Sequence, residues 1–294
     1  MRIVGPEPER HEELVALALD RSPHATRGEV EHPFAEPHEF LGLQVRMALD
    51  DEGGLLGWGA VARQAWNPPG SAVLMLNVAG GNEGRGVGSA LHDVLVRLLP
   101  PGTTSLRTRV FDDEERSFVI ARHWGFMVEE HSINSSMPLA GVTAPEPPDG
   151  VTVELRPDLS FPDYGEVDAM LVRSQTNPEA RAGLGLRLEH MKEPLPPAIS
   201  ILAVARVDGT PAAISWGQQV HGVFYVAYSG VVPAFRGRGL AALVKRHAAV
   251  AARAAGGEIA LTNNEAHNAG IRAVNDRLGY RPVSGTFRMV RETP

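Results

Sequence analysis

The feature that most restricts the fold is a strand, a turn and a helix written one after another between Phe224 and Gly257. The run Phe224-Tyr225-Val226-Ala227-Tyr228-Ser229-Gly230-Val231-Val232 is rich in β-branched and aromatic residues and is stopped by Pro233. Arg236-Gly237-Arg238-Gly239-Leu240-Ala241 then opens a helical period, with apolar residues at Leu240, Leu243, Val244, Val250, Ala251 and Ala254, and Gly256-Gly257 ends it. The first turn of such a helix carries unpaired N–H groups and a partial positive charge, so it offers a seat for phosphate. Gly237 and Gly239 let the backbone approach a ligand closely, and Arg236 and Arg238 can add forked, charge-assisted hydrogen bonds. A pyrophosphate fits that description. A purely structural helix start, with the arginines serving solubility, fits it too.

The rest of the chain repeats this organisation. Leu55–Ala62 and Ser71–Val78 read as a hairpin around Asn67-Pro68-Pro69-Gly70, and Gly84-Arg85-Gly86-Val87-Gly88 then opens a helix with apolar Val87, Leu91, Val94, Leu95 and Leu98. A strand over Ser105–Phe111, a helix over Glu114–Trp124 and a strand over Met127–Ile133 follow. In the second half come a strand at Val151–Leu155, a helix over Gly165–Ser174 and two strands over Ile199–Val207 and Ala212–Gln219. Beyond the central helix lie a strand at Glu258–Thr262, the loop Asn263–Asn268, a helix over Ala269–Leu278 and a last strand at Phe287–Val290. Arg2–Val4 reads as a strand, Glu12–Leu19 as an amphipathic helix, Ser22–His38 as loop, and Gln175–Glu193 as a polar segment without a clear period. Gly86 and Gly239 lie 153 positions apart and Gly125 and Gly279 lie 154, so two landmarks keep one offset and a duplication is expected. The expected division is residues 1–140, a proline-rich linker at 141–149, and residues 150–294.

Composition removes several alternatives. There is no cysteine among the 294 residues, which excludes disulfides, cysteine-ligated zinc and a thiol nucleophile. The eleven histidines are scattered without metal-binding spacing, so no metal is expected. The net charge of −7 argues against a nucleic-acid partner and favours a cationic or amine substrate, while also serving solubility. No apolar run approaches a membrane span and the first residues are too polar for a secretory signal, so a cytoplasmic location is expected. A nucleotide-hydrolysing P-loop is absent. Gly237-x-Gly239-x-x-Ala242 matches a dinucleotide fingerprint only loosely, because Glu258 begins a strand where a ribose-binding acid should end one.

The joint pattern Val231-Val232-Pro233-Ala234-Phe235-Arg236-Gly237-Arg238-Gly239-Leu240-Ala241, helix, strand, Asn263–Asn268, helix and Leu278-Gly279-Tyr280 resembles the GNAT superfamily of N-acetyltransferases, whose loop Gln/Arg-x-x-Gly-x-Gly/Ala is matched by Arg236, Gly239 and Ala241. The first half matches more loosely, with Glu83 where Gln or Arg is expected. The whole resembles a tandem-domain GNAT protein, the arrangement of mycothiol synthase. This resemblance implies an α+β fold: two tandem GNAT-like domains, each a mixed, mostly antiparallel, splayed sheet flanked by helices. It also implies acetyl-CoA as cosubstrate, a primary amine of a small molecule or peptide as acceptor, direct acyl transfer, and a monomer or homodimer.

By the same resemblance the amides of Gly237, Arg238, Gly239, Leu240 and Ala241, with Arg236, would hold the pyrophosphate. The edge of the strand Tyr225–Val232, with Val231 and Val232 among the coenzyme-binding residues, would pair with the pantetheine arm, and Asn268 would reach the coenzyme. The Val231 N–H is the candidate oxyanion donor. Arg85, Gly86, Val87 and Gly88 would form a weaker second site. Many members place an acid tyrosine where this chain has Asn275, which can donate a hydrogen bond but supplies no proton as an acid. Either the thiolate leaves unaided or Tyr228 serves. Ala121 at the matching position of the first half, together with Glu83, implies that the first domain is not catalytic. His221 reads first as an ordinary loop histidine, with a general base as the alternative. Glu265 and His267 read as solvated, and Trp58 and Trp124 as core.

Overall fold

The computed structural model describes residues 1–22, 24–25, 27–35, 38–64, 67–156, 162–175, 186–191 and 198–293. In the first half the elements are β1 (Arg2–Val4), α1 (His11–Arg21), α2 (Arg27–Ala35), β2 (Phe40–Leu49), β3 (Leu55–Gln64), β4 (Ser71–Val78), α3 (Val87–Arg97), β5 (Ser105–Phe111), α4 (Glu115–His123) and β6 (Met127–Pro138). They are followed by β7 (Val151–Leu155), α5 (Tyr164–Ser174), β8 (Ile199–Val207), β9 (Thr210–Val220), β10 (Val223–Val231), α6 (Leu240–Ala254), β11 (Ile259–Glu265), α7 (Ala269–Leu278) and β12 (Arg281–Glu292).

Two departures from the sequence reading lie in the first fifty residues. Ser22–His38, read as loop, contains α2, a polar helix that carries Pro33 inside it. Strand β2 escaped the sequence reading, yet it pairs with β1 on one side and β3 on the other. Its glycine and polar interruptions hide the two-residue period, and pairing on both sides overrides the weak local signal. Much of the polar segment 175–193, residues 176–185 together with 192 and 193, lies outside the described residues.

The chain divides into two compact units, Met1–His131 with Ser284–Pro294, and Ser132–Val283. The cut therefore differs from the expected 1–140 and 150–294. The last strand of the chain closes the first unit, where Thr286–Glu292 pairs antiparallel with Ser105–Phe111. In the second unit the corresponding place is taken by Ser132–Pro138, antiparallel to β11. Local pattern marks a strand but not its partner.

In the second unit the strands run β6-β11-β10-β9-β8-β7, antiparallel except for β10 beside β11. Both faces are covered. Ile201, Ala203 and Ala205 of β8 meet Leu240, Leu243, Val244 and Ala248 of α6, whereas Leu202 and Val204 meet Val167, Met170 and Leu171 of α5. That is why β8 reads as an unbroken apolar run rather than an alternation. Alanines on both partners let α6 lie close to the sheet. In the first unit the order is β1-β2-β3-β4-β5-β12, again antiparallel except for β4 beside β5. Trp58 is buried there with its indole N–H on the Leu14 carbonyl at 2.9 Å, a core role as expected.

The segment expected to be a linker is held in place within the second unit. Arg246 and Arg253 of α6 donate to the carbonyls of Thr143 (3.4 Å) and Val142 (2.7 Å), and His247 Nε2 lies 3.2 Å from the Pro145 carbonyl. Proline supplies the composition of a tether here, but the carbonyls it leaves free are claimed by the helix.

Candidate active site

The site is built where two parallel strands stop pairing. β10 and β11 are in register from Val223–Ile259 to Val226–Thr262; β10 then continues to Val231 and β11 to Glu265 without pairing to each other. A bulge causes the divergence: pairing with β9 shifts by one residue between Val226 and Tyr228, leaving Ala227 as the extra, exposed residue. Phe224 and Val226 face the α6 side, but beyond the bulge it is Val231 that packs there while Tyr228 packs on the α5 side. Strict alternation along the sequence could not place these side chains.

The bulge also sets which backbone groups face the gap. Val232 N–H bonds to the Ala212 carbonyl at 2.9 Å, so in the antiparallel alternation the Val231–Ala213 and Ser229–Ser215 pairs are the non-hydrogen-bonded ones. The polar backbone groups of Ser229 and Val231 therefore point away from β9, into the opening. Short separation across such a pair is visible in the Ser215 and Ser229 hydroxyls, 3.0 Å apart. The Val231 N–H therefore faces outward. Val232 does not, because its only donor is committed to β9.

At the end of β10 a short turn leads into α6. Gly237 and Gly239 adopt φ of +79° and +78°, a left-handed conformation that residues with a Cβ enter only at a cost. Among the described residues no side chain caps this helix, and its first bond runs from Leu243 N–H to the Gly239 carbonyl at 3.1 Å. The N–H groups of Leu240 and Ala241 are left facing out with those of the turn, a concave array suited to an anion. The two arginines are partly engaged already. Arg236 Nε donates to the Val231 carbonyl at 3.2 Å, and the Arg238 guanidinium lies 5.5 Å above the Phe235 ring.

Tyr228 is half-buried with its hydroxyl 2.8 Å from Ser174 Oγ, and Ser174 in turn donates to the Leu171 carbonyl at 2.7 Å. Since the serine proton is on Leu171, the tyrosine proton points to Ser174. Burial raises the Tyr228 pKa and keeps the phenol protonated at neutral pH. A Cβ on Gly230 would stand 2.3 Å from that hydroxyl, so Gly230 is the space the phenol occupies, next to the Val231 N–H. Ser174 carries no local signal in the sequence, because its meaning lies in a residue 54 positions away.

Asn275 is buried, donating from Nδ2 to Asn264 Oδ1 at 2.6 Å across α7 and β11, while its own Oδ1 has no hydrogen-bond partner among the described residues. It ties the helix to the parted strand. Asn268 accepts Ile271 N–H at 3.4 Å and caps α7, so its oxygen is occupied by the helix. His221 sits in the β9–β10 turn, ten positions and roughly 30 Å of extended strand before Val231, which removes it as a base. Glu265 and His267 pair with each other at 2.9 Å.

The first unit repeats the parting. β4 and β5 pair only from Ser71–Ser105 to Val73–Arg107 before running on to Val78 and Phe111. A cleft of about 990 Å³ opens there, lined by Leu74, Leu76, Val110 and Phe126, and Trp124, expected in the core, lines it as well. Gly84 and Gly86 have φ of +77° and +82°, and Gly86 precedes α3 without a side-chain cap. Unlike the second unit, this turn holds its own carboxylate. Glu83 accepts Gly81 N–H at 2.8 Å and pairs with Arg21 at 3.0 Å, and hydrogen bonds from its own and the Gly81 backbone N–H groups keep it below the usual carboxylate pKa. Elsewhere in this unit His11, Glu12 and Glu31 come within 4.8 Å of one another at the surface, where Arg27 bonds to both carboxylates.

A mixed sheet that parts between two parallel strands, with an uncapped glycine turn and helix at the end of one of them, defines the GNAT fold, here present twice. The comparisons agree. No model of a known protein family matches the chain, and no curated protein matches its sequence. Among solved structures it is similar to a GCN5-related N-acetyltransferase from Sphaerobacter thermophilus, at 16% identity and a TM-score of 0.73, over 99% of this chain and 95% of that one. It is likewise similar to a tandem GNAT protein from the clavulanic acid biosynthesis pathway, at 17% identity and a TM-score of 0.71, over 100% of this chain and 99% of that one. A glucosamine N-acetyltransferase region of a fungal multi-domain GH3 β-N-acetylglucosaminidase is matched at 15% identity and a TM-score of 0.72, over 98% of this chain and 38% of the larger protein. The chain has the tandem GNAT fold.

Proposed function

We propose that the second unit is an acyl-CoA-dependent N-acyltransferase that moves an acetyl group from acetyl-CoA directly to a primary amine of a small molecule or peptide, and that the first unit is not catalytic. The observation that carries this reading is the parting of β10 from β11 beside the uncapped turn Gly237–Ala241. The turn amides suit the pyrophosphate, and the outward backbone of Ser229 and Val231 suits the pantetheine amides. The thioester carbonyl then falls by the Val231 N–H, which would stabilise the oxyanion as the amine nitrogen attacks. The C–S bond breaks, the amine gives up a proton, and the thiolate takes one. Tyr228, whose hydroxyl fills the space beside Gly230, is the candidate proton donor, whereas Asn275 supplies no proton as an acid. Net charge favours a cationic acceptor.

Thiol release from acetyl-CoA with polyamines, amino acids, aminoglycosides and peptide N-termini tests the reading, and silence across that panel would count against it. A second reading, a coenzyme-binding protein without turnover, is favoured by Asn275 and by the Tyr228 proton being held on Ser174. It requires saturable acetyl-CoA binding that persists when every amine fails.

A further inference from the structure

The cleft of about 990 Å³ in the first unit has no part in the acyl-transfer reading, yet it has the size that ligands fill. Its walls are apolar side chains, among them Leu74, Leu76, Val110, Trp124 and Phe126. Between them run two bare strand edges. Thr108 Oγ1 donates to the Leu74 carbonyl at 3.0 Å, just past the last paired residues of β4 and β5, so Leu74 turns that carbonyl toward β5. By the alternation of a strand, the main-chain groups of Leu76 and Val78 face the same way, while Ala79 N–H turns to the Leu56 carbonyl of β3 at 2.9 Å. On β5 the Asp112 N–H goes to the Gly285 carbonyl of β12 at 2.9 Å, which leaves the groups of Arg109 and Phe111 facing β4. Among the described residues none of these four has a strand paired on that side.

We propose that the first unit binds a short, extended, apolar peptide in this cleft, its main chain lying along the exposed edges of β4 and β5. A phosphate is opposed there, because the Glu83 carboxylate already stands at the turn and is paired with Arg21. An alkyl chain would match the walls but would bury the bare amides and carbonyls against hydrocarbon, at a cost for each of them. A peptide meets both demands at once, with its main chain on the edges and its side chains on the walls. Charges of both signs stand at the cleft, Glu83 and Glu114 against Arg21 and Arg116, so uncharged side chains suit it. Gly88 keeps the room open. Its φ lies outside the left-handed region, and a Cβ there would meet only Leu76, Val78 and Trp124 at 3.6 to 3.9 Å, so α3 forgoes a better helix former on the wall of the cleft. Binding here is independent of acyl transfer in the second unit, and neither result decides the other.

Calorimetric titration of the full chain with N-acetyl tripeptide amides of leucine, valine and phenylalanine tests this, beside the same peptides methylated on their amide nitrogens, 1-decanol and acetyl-CoA. The expected result is one peptide bound per chain, at least about tenfold tighter than its N-methylated form or decanol, and undiminished by saturating acetyl-CoA. Gly88→Leu should weaken the peptide at least about tenfold without lowering the urea midpoint, and Gly88→Ala should weaken it by less. Absence of saturable binding across the peptides would overturn the proposal. Equal affinity for the N-methylated form would also overturn it, by removing the strand edges from recognition, as would unchanged affinity in a folded Gly88→Leu protein. Decanol binding as tightly as the peptide would give the cleft to a lipid chain instead, and displacement of the peptide by acetyl-CoA would give it to the coenzyme; either ends the proposal.

Discussion

Lys245 shows how much a single position can hide. Its neighbours in sequence suggest a solvated face, but α6 buries it in the second unit with its ammonium 5.1 Å from the Tyr280 ring and no hydrogen-bond acceptor among the described residues. Burial pulls its pKa from 10.5 down to about 7. Because the folded state disfavours the charged form, the penalty is fully felt below the folded pKa and is relieved as pH rises toward the unfolded one. A displacement of that size amounts to something on the order of 5 kcal/mol at low pH. Lys245→Met should therefore raise the urea midpoint strongly at pH 6, and by steadily less toward pH 10; a pH-independent gain would refute the assignment. Gly230 makes the complementary case of a residue whose importance is the space it leaves. Gly230→Ala should expel the Tyr228 phenol and, if Tyr228 protonates the thiolate, lower kcat at least about tenfold with KM for acetyl-CoA little changed. Full activity in a folded Gly230→Ala protein would free Tyr228 from the mechanism. Glycine at 230 was visible in the sequence, but its purpose was not, since the atom that needs the room comes from a neighbouring residue bent over it by the bulge.

At the level of elements, the two glycine turns are nearly the same structure with opposite electrostatics. Gly239→Pro replaces a left-handed φ by one near −65°, so coenzyme affinity should fall by about a hundredfold or more while far-UV circular dichroism stays unchanged. Unaltered affinity would take the pyrophosphate off this turn. In the first unit the Glu83 carboxylate already stands at the turn, so Glu83→Gln should raise bound coenzyme from one per chain toward two; two in the native protein would reject the inhibitory role of Glu83. These turns were legible beforehand because glycine, arginine and helical period are local signals. The parting of the strands beside them was not, because a bulge at Ala227 depends on pairing with β9 and leaves no mark in composition.

For the molecule as a whole, the two units exchange the strand that completes each of them. A fragment spanning residues 132–283 should fold with a cooperative transition, whereas residues 150–294 lack the Ser132–Pro138 partner of β11 and carry a last strand whose own partner, β5, is missing. Cooperative unfolding of the 150–294 fragment would argue against the exchange. From the sequence by itself followed the duplicated strand–turn–helix, the glycine- and arginine-bearing turns and the exclusion of thiol chemistry, all set by residue type and short spacing. Only the tertiary structure decided where β10 leaves β11, which backbone amides face the gap and which strand closes each unit. The reason is physical: propensity and capping act within a few residues, while strand pairing, burial and charge neutralisation are settled between residues far apart in the chain, where no local pattern records the partner.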